Sequence, residues 1–440
     1  MTLDDWIERQ AEISAAKMAR AISATDLVFR RPGFGQYVRP AKGSVLASPE
    51  TDLGGGPDYF FHWLRDAAAV MEAARILAGT ARDAAAWIAR FEDCVRFSLG
   101  LSGICGEGFF RNGDFRSRVG ADFLKFVRPN AEIAALSGER VLDDVRYNAD
   151  GTLDFIKWSR PQHDGAALEA LAAMRFWRDG RSSSPEARAQ LAELIRRDLD
   201  HAAARTEAPG YDIWEEDLGH HYYPRLLQHA ALEAGADWVA AQGEAARSHS
   251  YRAAAAGLLS ALDGFWSQEE GFYRSRTAPP GAPNPKALDV SVILAVLHAG
   301  RDAGAHSVLD ARVAATLTRI KGHFAGAYPL NRERGLPFAI GRYPGDRYFD
   351  GGAWYLCSFA AAEFEYRRAA LLSDAAPIAR GDAVLDAVRG LVPASGELSE
   401  QFHPATGAQL SARNLTWSYA ALITAWHTRK QALAAAARLP

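Results

Sequence analysis

Cysteine is scarce in this sequence, long apolar runs are absent, and neither sign of charge prevails. Cys94, Cys105 and Cys357 are the cysteines of a 440-residue chain. They allow at most one internal disulfide, and their spacing matches no metal motif, so we expect small buried side chains. No apolar run is long enough to span a bilayer. A net charge of −3 gives no field that would attract nucleic acid or anionic lipid.

A signal peptide is also missing from the start of the sequence. The opening stretch MTLDDWIERQAEISAAKMARAIS is amphipathic and charged throughout, whereas a leader has an apolar core and a cleavage site. We therefore expect a cytoplasmic protein, or a secreted or periplasmic one if a leader was removed. No glycine-rich phosphate loop is present, so no cofactor is expected. His220 and His221 point apart and lack an i, i+4 partner, so no metal is expected either.

Helical periodicity dominates the chain, and alternating apolar and polar residues, which would predict strands, are scarce. Ser184 followed by Pro185 is a typical helix start. Val290–Gly300 and Trp354–Phe364 are apolar over most of their surface, as expected of helices with neighbours on both sides. The twelve predicted helices lie at roughly 3–22, 66–79, 83–100, 164–178, 185–203, 221–240, 243–265, 287–301, 308–324, 352–373, 381–391 and 416–438.

Fully apolar helices alternate with amphipathic ones, such as the helix that begins at Pro185. This pattern predicts an all-α fold, an (α/α)6 barrel with six inner helices inside six outer ones. A helical solenoid would also contain paired helices, but no motif repeats at a fixed period. No linker divides the chain, so we expect residues 1–440 to form one domain and the protein to be a monomer.

The loops between the predicted helices are long, which in a compact domain usually indicates function. They combine aromatic residues with arginine and carboxylates. Sugars need this mixture, because the apolar faces of pyranose rings stack on aromatic rings and their hydroxyls bind Asp and Arg. The loops are Gly33–Arg65, Gly103–Trp158, Thr206–His220, Asn331–Gly352 and Pro393–Leu415.

The stretch YDIWEEDLGHHYY places Glu215 and Glu216 side by side after Trp214. Glycosidic bond hydrolysis takes two carboxyl groups in opposite protonation states. An apolar wall and a neighbouring like charge both raise the pKa of a glutamate, so either residue fits the general acid. Because consecutive side chains diverge, the second carboxyl must come from another loop, and Glu400 is a candidate. Otherwise the pair would be a solvated helix start and Glu400 a surface residue.

Seven segments, spread nearly from end to end of the chain, form a recognisable set. They are TLDDWIERQ, GSVLASPETDLGGGPDYFFHWLRDAAAV, WSRPQHDGAALEALAAM, YDIWEEDLG, KALDVSVILAVLH, GRYPGDRYFDGGAWYLCSFAAAE and SEQFHPATGAQLSARNLTWSYAALITA. In this order they resemble the glucoamylase family of inverting glycoside hydrolases, glycoside hydrolase family fifteen. Their combination is far more specific than any single motif.

The resemblance implies an (α/α)6 barrel whose funnel closes on the terminal glucose of an α-glucan and releases β-D-glucose. It implies that Glu215 is the general acid and Glu400 the general base. Glu216 would hold the adjacent sugar and help to keep Glu215 protonated. The other residues expected to bind sugar are Tyr59, Trp63, Arg65, Asp66, Trp158, Ile213, Trp214, Arg342, Tyr348, Trp354 and Trp417.

The chain departs from the family after the acid pair, where Asp217–His221 replaces small polar residues, and at Phe61, where the family tends to have tyrosine. We expect Asp217–His221 to face the leaving sugar, which leaves both α-1,4 and α-1,6 linkages open. We expect no starch-binding module, and therefore soluble oligosaccharides rather than granular starch as substrates.

Four alternatives to an α-1,4-acting enzyme remain at this point. They are an α-1,6-glucosidase that prefers isomaltose or dextran, a trehalase-like hydrolase, a phosphorylase of the same fold, and a carbohydrate-binding protein without catalysis. A phosphorylase would have a phosphate site in place of the base, which the setting of Glu400 in SEQF argues against.

Overall fold

The computed structural model describes residues 1–111, 113–279 and 282–438. Its helices are α1 (Leu3–Ala21), α2 (Leu64–Thr80), α3 (Ala84–Leu101), α4 (Gly106–Phe109), α5 (Asn130–Ala134), α6 (Gly165–Asp179), α7 (Pro185–Ala204), α8 (Tyr222–Ala241), α9 (Ala245–Leu262), α10 (Ser291–Ala299), α11 (Ala311–Ala327), α12 (Pro329–Arg334), α13 (Tyr355–Leu372), α14 (Ala376–Arg389) and α15 (Thr416–Ala436).

Six of these helices form an inner ring, in which α2, α6, α8, α10, α13 and α15 pack against one another in turn and α15 returns to α2. The outer helices α1, α3, α7, α9, α11 and α14 each pack on an inner one. The predicted (α/α)6 barrel is therefore confirmed, and all twelve predicted helices are present. Helix α10 is shorter than predicted and α14 begins five residues earlier.

Burial explains why these sequences form two kinds of helix. Every residue from Ser291 to Leu297 in the inner helix α10 is buried, as an apolar run with neighbours all round requires. The outer helix α7 buries one stripe instead, which includes Leu191, Leu194 and Ile195. The Ser184 side chain caps α7 by accepting the Ala187 N–H at 3.1 Å. The helices α4, α5 and α12 were not predicted because four to six residues are too few to show a period.

Short antiparallel strands stiffen the loops between helices. The strands β1 and β2, β3 and β4, β5 and β6, and β7 and β8 form pairs, while β9, β10 and β11 form a three-stranded sheet with β10 in the middle. The strands are β1 (Phe29–Arg31), β2 (Gln36–Val38), β3 (Phe61–Trp63), β4 (Arg146–Asn148), β5 (Gly210–Tyr211), β6 (Leu218–Gly219), β7 (Trp266–Ser267), β8 (Phe272–Tyr273), β9 (Ala353–Trp354), β10 (Gln401–Phe402) and β11 (Gln409–Leu410).

The three cysteines are unpaired, and the expectation that all are buried is wrong for one of them. Cys94 and Cys357 are buried, whereas Cys105 is exposed. Cys105 lies in the loop after α3, where its backbone forms a bridge with Ser137 and its side chain is left at the surface. Across the described residues, no helix is both long and apolar enough to cross a membrane.

Candidate active site

The loops that precede the inner helices α2, α6, α8, α13 and α15 enclose a cavity of about 780 Å³. All fourteen residues predicted to act on or bind sugar line this cavity. They come from five loops and from the first turns of α2 and α15, which the barrel brings to the end where these inner helices begin.

Glu215 lies at the tip of the hairpin formed by β5 and β6, not at a helix start. Asp212 Oδ1 accepts the backbone N–H groups of Glu216, at 2.7 Å, and Asp217, at 3.3 Å, and so closes the turn. Glu215 has a φ of 65°, in the left-handed region that non-glycine residues rarely adopt. Such strain persists only where surrounding contacts enforce it, and it often marks a functional site.

Three donors surround the carboxylate of Glu215. Trp63 Nε1 and Arg65 Nη2 each lie 2.9 Å from Oε1. Trp158 Nε1 donates to Oε2. Trp63 ends β3, just before α2, whereas Trp158 lies in the loop before α6. These contacts hold the carboxyl group of Glu215 as a hydrogen-bond acceptor.

Glu216 points away from Glu215 and is neutralised by basic residues. Its Oε1 lies 2.8 Å from Arg342 Nη2, and its Oε2 lies 2.5 Å from Lys286 Nζ and from the Tyr343 hydroxyl. Burial opposes ionisation of Glu216, but Arg342, Lys286 and Tyr343 outweigh it and lower its pKa. The expected repulsion of Glu215 by a bare neighbouring charge is therefore wrong, because two cations from other loops compensate that charge.

Glu400 immediately precedes β10 and is almost completely buried, with 3% of its surface exposed. Its backbone N–H donates to Ala412 O at 2.8 Å, which fixes the loop. The Ser411 hydroxyl donates to its Oε2. Burial raises the pKa of Glu400 to about 7, although Ser411, Arg342 and Tyr59 act in the opposite direction. Burial thus favours the neutral form of Glu400.

Arg65 and Asp66 are adjacent residues of α2 and lie on the floor of the cavity. Arg65 Nη1 donates to Gln162 Oε1 at 3.0 Å, and its guanidinium lies 3.5 Å from Asp66 and 3.6 Å from Asp164. Burial raises the pKa of Asp66 to about 6, against the attraction of Arg65. One buried arginine thus faces Asp66, Asp164 and Glu215.

Aromatic rings complete the wall, and polar contacts fix their orientation. The hydroxyls of Tyr59 and Tyr348 lie 2.9 Å apart. Trp214 packs on Trp354, with ring centroids 5.2 Å apart. Trp214 Nε1 donates to both carboxylate oxygens of Asp289, at 2.9 and 3.1 Å. Asp289 does not line the cavity and is linked to it through Trp214. It was not predicted from the sequence.

Arg146 lines the cavity and was also missed. Its guanidinium carbon lies 3.7 Å from the ring centre of Trp158, 4.1 Å from that of Phe61 and 5.2 Å from that of Trp63. Its Nε donates to Asp154 Oδ2 at 2.8 Å. Arg146 therefore orients both indoles that bind Glu215. No sequence pattern suggested it, because the pairing of its strand β4 with β3 of the rim is visible only in the structure.

The expectation that Asp217–His221 faces the cavity is wrong, since none of these residues lines it. Asp217 Oδ2 lies 2.7 Å from Lys286 Nζ, and His220 Nδ1 accepts from Arg225 at 2.8 Å. The pairing of β6 with β5 turns this segment to the far side of the hairpin, where Gly219, His220 and His221 line a separate small cavity.

Two groups in the described residues bring potential metal ligands together. Asp143, His163 and His201 form one, and Asp212, Glu216 and Asp217 the other. In the first, Arg205 contacts both oxygens of Asp143, at 2.7 and 2.9 Å. In the second, Lys286 and Arg342 compensate the acids. Basic side chains thus already supply the positive charge in both groups.

Comparison with known proteins bears directly on this site. The sequence profile of "Glycosyl hydrolases family 15" matches residues 30–99, 135–375 and 373–427, which include every residue that lines the cavity. The chain belongs to glycosyl hydrolase family 15. It is therefore a glycoside hydrolase, and the family resemblance seen in the sequence is confirmed.

Curated relatives and solved structures agree with this family. The chain is 26% identical to "Glucoamylase" of Blastobotrys adeninivorans, over 89% of this chain and 68% of that protein, and 26% identical to "Glucoamylase 1" of Rhizopus oryzae, over 99% and 72%. The family 15 glucoamylase of Hypocrea jecorina superposes with a TM-score of 0.78 at 25% identity, over 98% of this chain and 72% of the other. The glucoamylase of Saccharomycopsis fibuligera, at 20% identity, shows the same fold, with a TM-score of 0.81 over 99% and 96%.

Proposed function

We propose that the protein is an exo-acting, inverting α-glucosidase that releases β-D-glucose from the non-reducing ends of α-1,4-linked glucans. The observation that carries the proposal is that Glu215 and Glu400, from loops 185 residues apart, line one cavity together with Arg65 and Asp66. A cavity at the end of a barrel admits the end of a chain rather than its middle. The names of the curated relatives, glucoamylases, support α-glucan as the substrate.

Glu215 is proposed as the general acid because of its position. Its partner Trp158 is 41% exposed, so this carboxyl lies towards the mouth, where the leaving sugar would be. Glu400 lies deeper and is proposed as the general base. In its ionised form it would take a proton from a water that attacks C1 from the opposite face. Inversion requires the two carboxyl groups to be about 6.5–9.5 Å apart, so that this water fits between them.

Substrate is proposed to release Glu215 from its hydrogen-bond donors and to favour the ionised form of Glu400. Arg65, Trp63 and Trp158 hold Glu215 as an acceptor, while burial favours the neutral form of Glu400. In the proposed mechanism, sugar hydroxyls replace Glu215 as the hydrogen-bond partners of Arg65. Glu215 is then free to carry the proton. Positive charge that develops at C1 in the transition state favours the ionised form of Glu400.

The aromatic wall and the polar floor have separate proposed roles in binding. Trp63, Trp158 and Trp354 present ring faces for the apolar sides of glucose units. Arg65 and Asp66 bind the distal hydroxyls of the terminal glucose, and Arg342 with Glu216 binds the next sugar. The walls would thereby align the glycosidic oxygen with Glu215.

A proton-NMR time course with methyl α-maltoside, whose reducing-end sugar leaves as methyl glucoside and adds no free glucose, tests this function. The resonance of β-glucose is expected to grow first, and α-glucose to follow only at the rate of mutarotation. An initial release of α-glucose would overturn the inverting mechanism. No release of glucose from maltose or longer α-1,4 oligosaccharides would overturn the function itself.

A further inference from the structure

The segment 100–134 lies between two parts of the chain that match the family profile, 30–99 and 135–375. The family profile therefore leaves this segment unmatched. Three of its large apolar side chains are exposed: Phe123 at 40%, Leu124 at 41% and Phe126 at 47%. Grouped apolar residues at the surface of a soluble protein usually mark a binding surface.

These rings continue the wall of the cavity. Phe34 lines the cavity, and its ring lies 5.2 Å from that of Phe123 in an edge-to-face arrangement. The rings of Phe123 and Phe126 are 6.5 Å apart. On the other side, the Lys157 N–H donates to Phe126 O at 2.7 Å, which sets Phe126 beside the loop that continues into Trp158.

Backbone contacts hold this surface in place. The Gly120 N–H donates to Gly33 O at 2.9 Å, and Val127 forms a β-bridge with Ile156. The ring of Phe123 lies flat against Gly33, where a Cβ atom would come within 2.5 Å of it. Beneath the surface, a hydrophobic cluster that includes Phe115 and Val127 anchors the segment to the barrel. The exposed rings are therefore positioned before any ligand arrives.

We propose that Phe34, Phe123, Phe126 and Trp158 form an aromatic platform that binds glucose units on the reducing-end side of a long α-glucan whose other end occupies the cavity. This proposal rests on the proposed function, which it extends to chain length. Two observations favour a sugar chain: the platform is continuous with the cavity through Phe34, and the rings of Phe123, Phe126 and Trp158 are exposed. Glucose rings stack on such surfaces through their apolar faces.

The platform makes a prediction that depends on substrate length. The double variant Phe123→Ala/Phe126→Ala should leave kcat and KM for maltose within about twofold of the wild type, because maltose fills only the cavity. For maltoheptaose, KM should rise about 5- to 10-fold, the loss expected for two stacking contacts. Leu433→Ala, which removes an equally exposed apolar side chain on the distant helix α15, serves as the control. It should change kcat and KM for neither substrate.

Each other outcome of this experiment would overturn the platform. An unchanged KM for maltoheptaose would show that the rings bind no glucan. An equal rise in KM for maltose and maltoheptaose would show that the substitutions damage the cavity. A change in sedimentation mass with unchanged kinetics would assign the surface to contact with a second copy of the chain.

A wild type that hydrolyses neither sugar would count against the proposed function rather than the platform. In that case, titration calorimetry of maltoheptaose with the wild type and the double variant still tests the platform. Binding that weakens in the double variant would support it, and equal binding would overturn it.

Discussion

Arg65 Nη2 lies 2.9 Å from Oε1 of Glu215, although the two residues are 150 positions apart in the chain. In the proposed mechanism, the same guanidinium binds the distal hydroxyls of the terminal glucose. Arg65 therefore holds the proposed acid in a contact that substrate must replace. Substrate binding and release of the acid are linked through one side chain.

Substitution Arg65→Lys tests this link. Lysine keeps the charge that faces Asp66 and Asp164, but it cannot contact both Gln162 and Glu215 as the two Nη atoms of arginine do. We expect kcat/KM for maltose to fall about 10- to 100-fold, the worth of one or two charge-assisted hydrogen bonds. Arg20→Lys, at a half-exposed ion pair, is the control. Wild-type kcat/KM in Arg65→Lys would contradict the role of Arg65.

Ser411 is expected to set the acidic limb of the pH profile. Glu400 acts as a base only when ionised, and its pKa of about 7 means that kcat/KM falls as pH decreases through that value. Ser411 lowers this pKa by donating to Oε2. Ser411→Ala should therefore move the acidic limb to higher pH, as measured in kcat/KM against pH for maltose.

A second substitution distinguishes the effect of the Ser411 hydroxyl from that of the backbone conformation at this position. Ser411 has a φ of 62°, in the left-handed region, so Ser411→Gly removes the hydroxyl without keeping that strain. Both variants should show the same displacement of the limb. An unchanged limb in both would mean that Glu400 is not the group whose ionisation controls activity.

The stability of the fold should also depend on Glu400. Its pKa is about 7 in the folded protein, against an ordinary value of 4.5, so the folded state binds the proton more tightly than the unfolded state does. This contribution to stability is fully present below pH 4.5 and is lost as pH rises through 7. Glu400→Gln removes the dependence.

The free energy of unfolding of wild type and Glu400→Gln, measured in urea at pH 5 and pH 8, checks this linkage. The free energy of unfolding of Glu400→Gln minus that of the wild type should be larger at pH 8 than at pH 5, by on the order of 1–3 kcal/mol. A pH-independent difference between the two proteins would refute a raised pKa for Glu400.

Asp289 is expected to act through Trp214. Asp289→Ala leaves the indole N–H of Trp214 buried without an acceptor, which should lower the free energy of unfolding by about 1–3 kcal/mol. Since Trp214 precedes Glu215 in the hairpin, kcat should fall as well. Asp289→Asn keeps an acceptor oxygen and should recover most of both properties. Equal defects in the alanine and asparagine variants would show that the negative charge, not the hydrogen bond, is needed.

The sequence was sufficient to predict the twelve-helix barrel, because long helices with one or several buried faces repeat apolar residues with a clear period. It also placed Glu215 and Glu400 in loops of one rim, since those loops mix aromatic and charged residues. The role of Arg146 was out of reach, because it depends on rings brought together from Phe61, Trp63 and Trp158.

The electrostatics of the acid pair were predicted wrongly for a similar reason. Adjacent carboxylates suggested repulsion, but Lys286 and Arg342, from loops about 70 and 126 residues further along, compensate Glu216. The direction of Asp217–His221 depends on the pairing of β5 with β6, two-residue strands too short to predict from alternation. Local composition thus identifies the site, whereas long-range contacts set its charge and orientation.

The proposed roles of Glu215 as general acid and Glu400 as general base are tested most directly by one comparison. The rates of Glu215→Gln and Glu400→Gln are measured on maltose and on α-D-glucosyl fluoride. Fluoride leaves without protonation, so only the base is needed for the second substrate. Both variants should lose about 10²–10⁴-fold in kcat on maltose. Glu215→Gln should keep much of the wild-type rate on the fluoride, whereas Glu400→Gln should lose it. Recovery on the fluoride by Glu400→Gln instead, or by neither variant, would contradict the proposed roles.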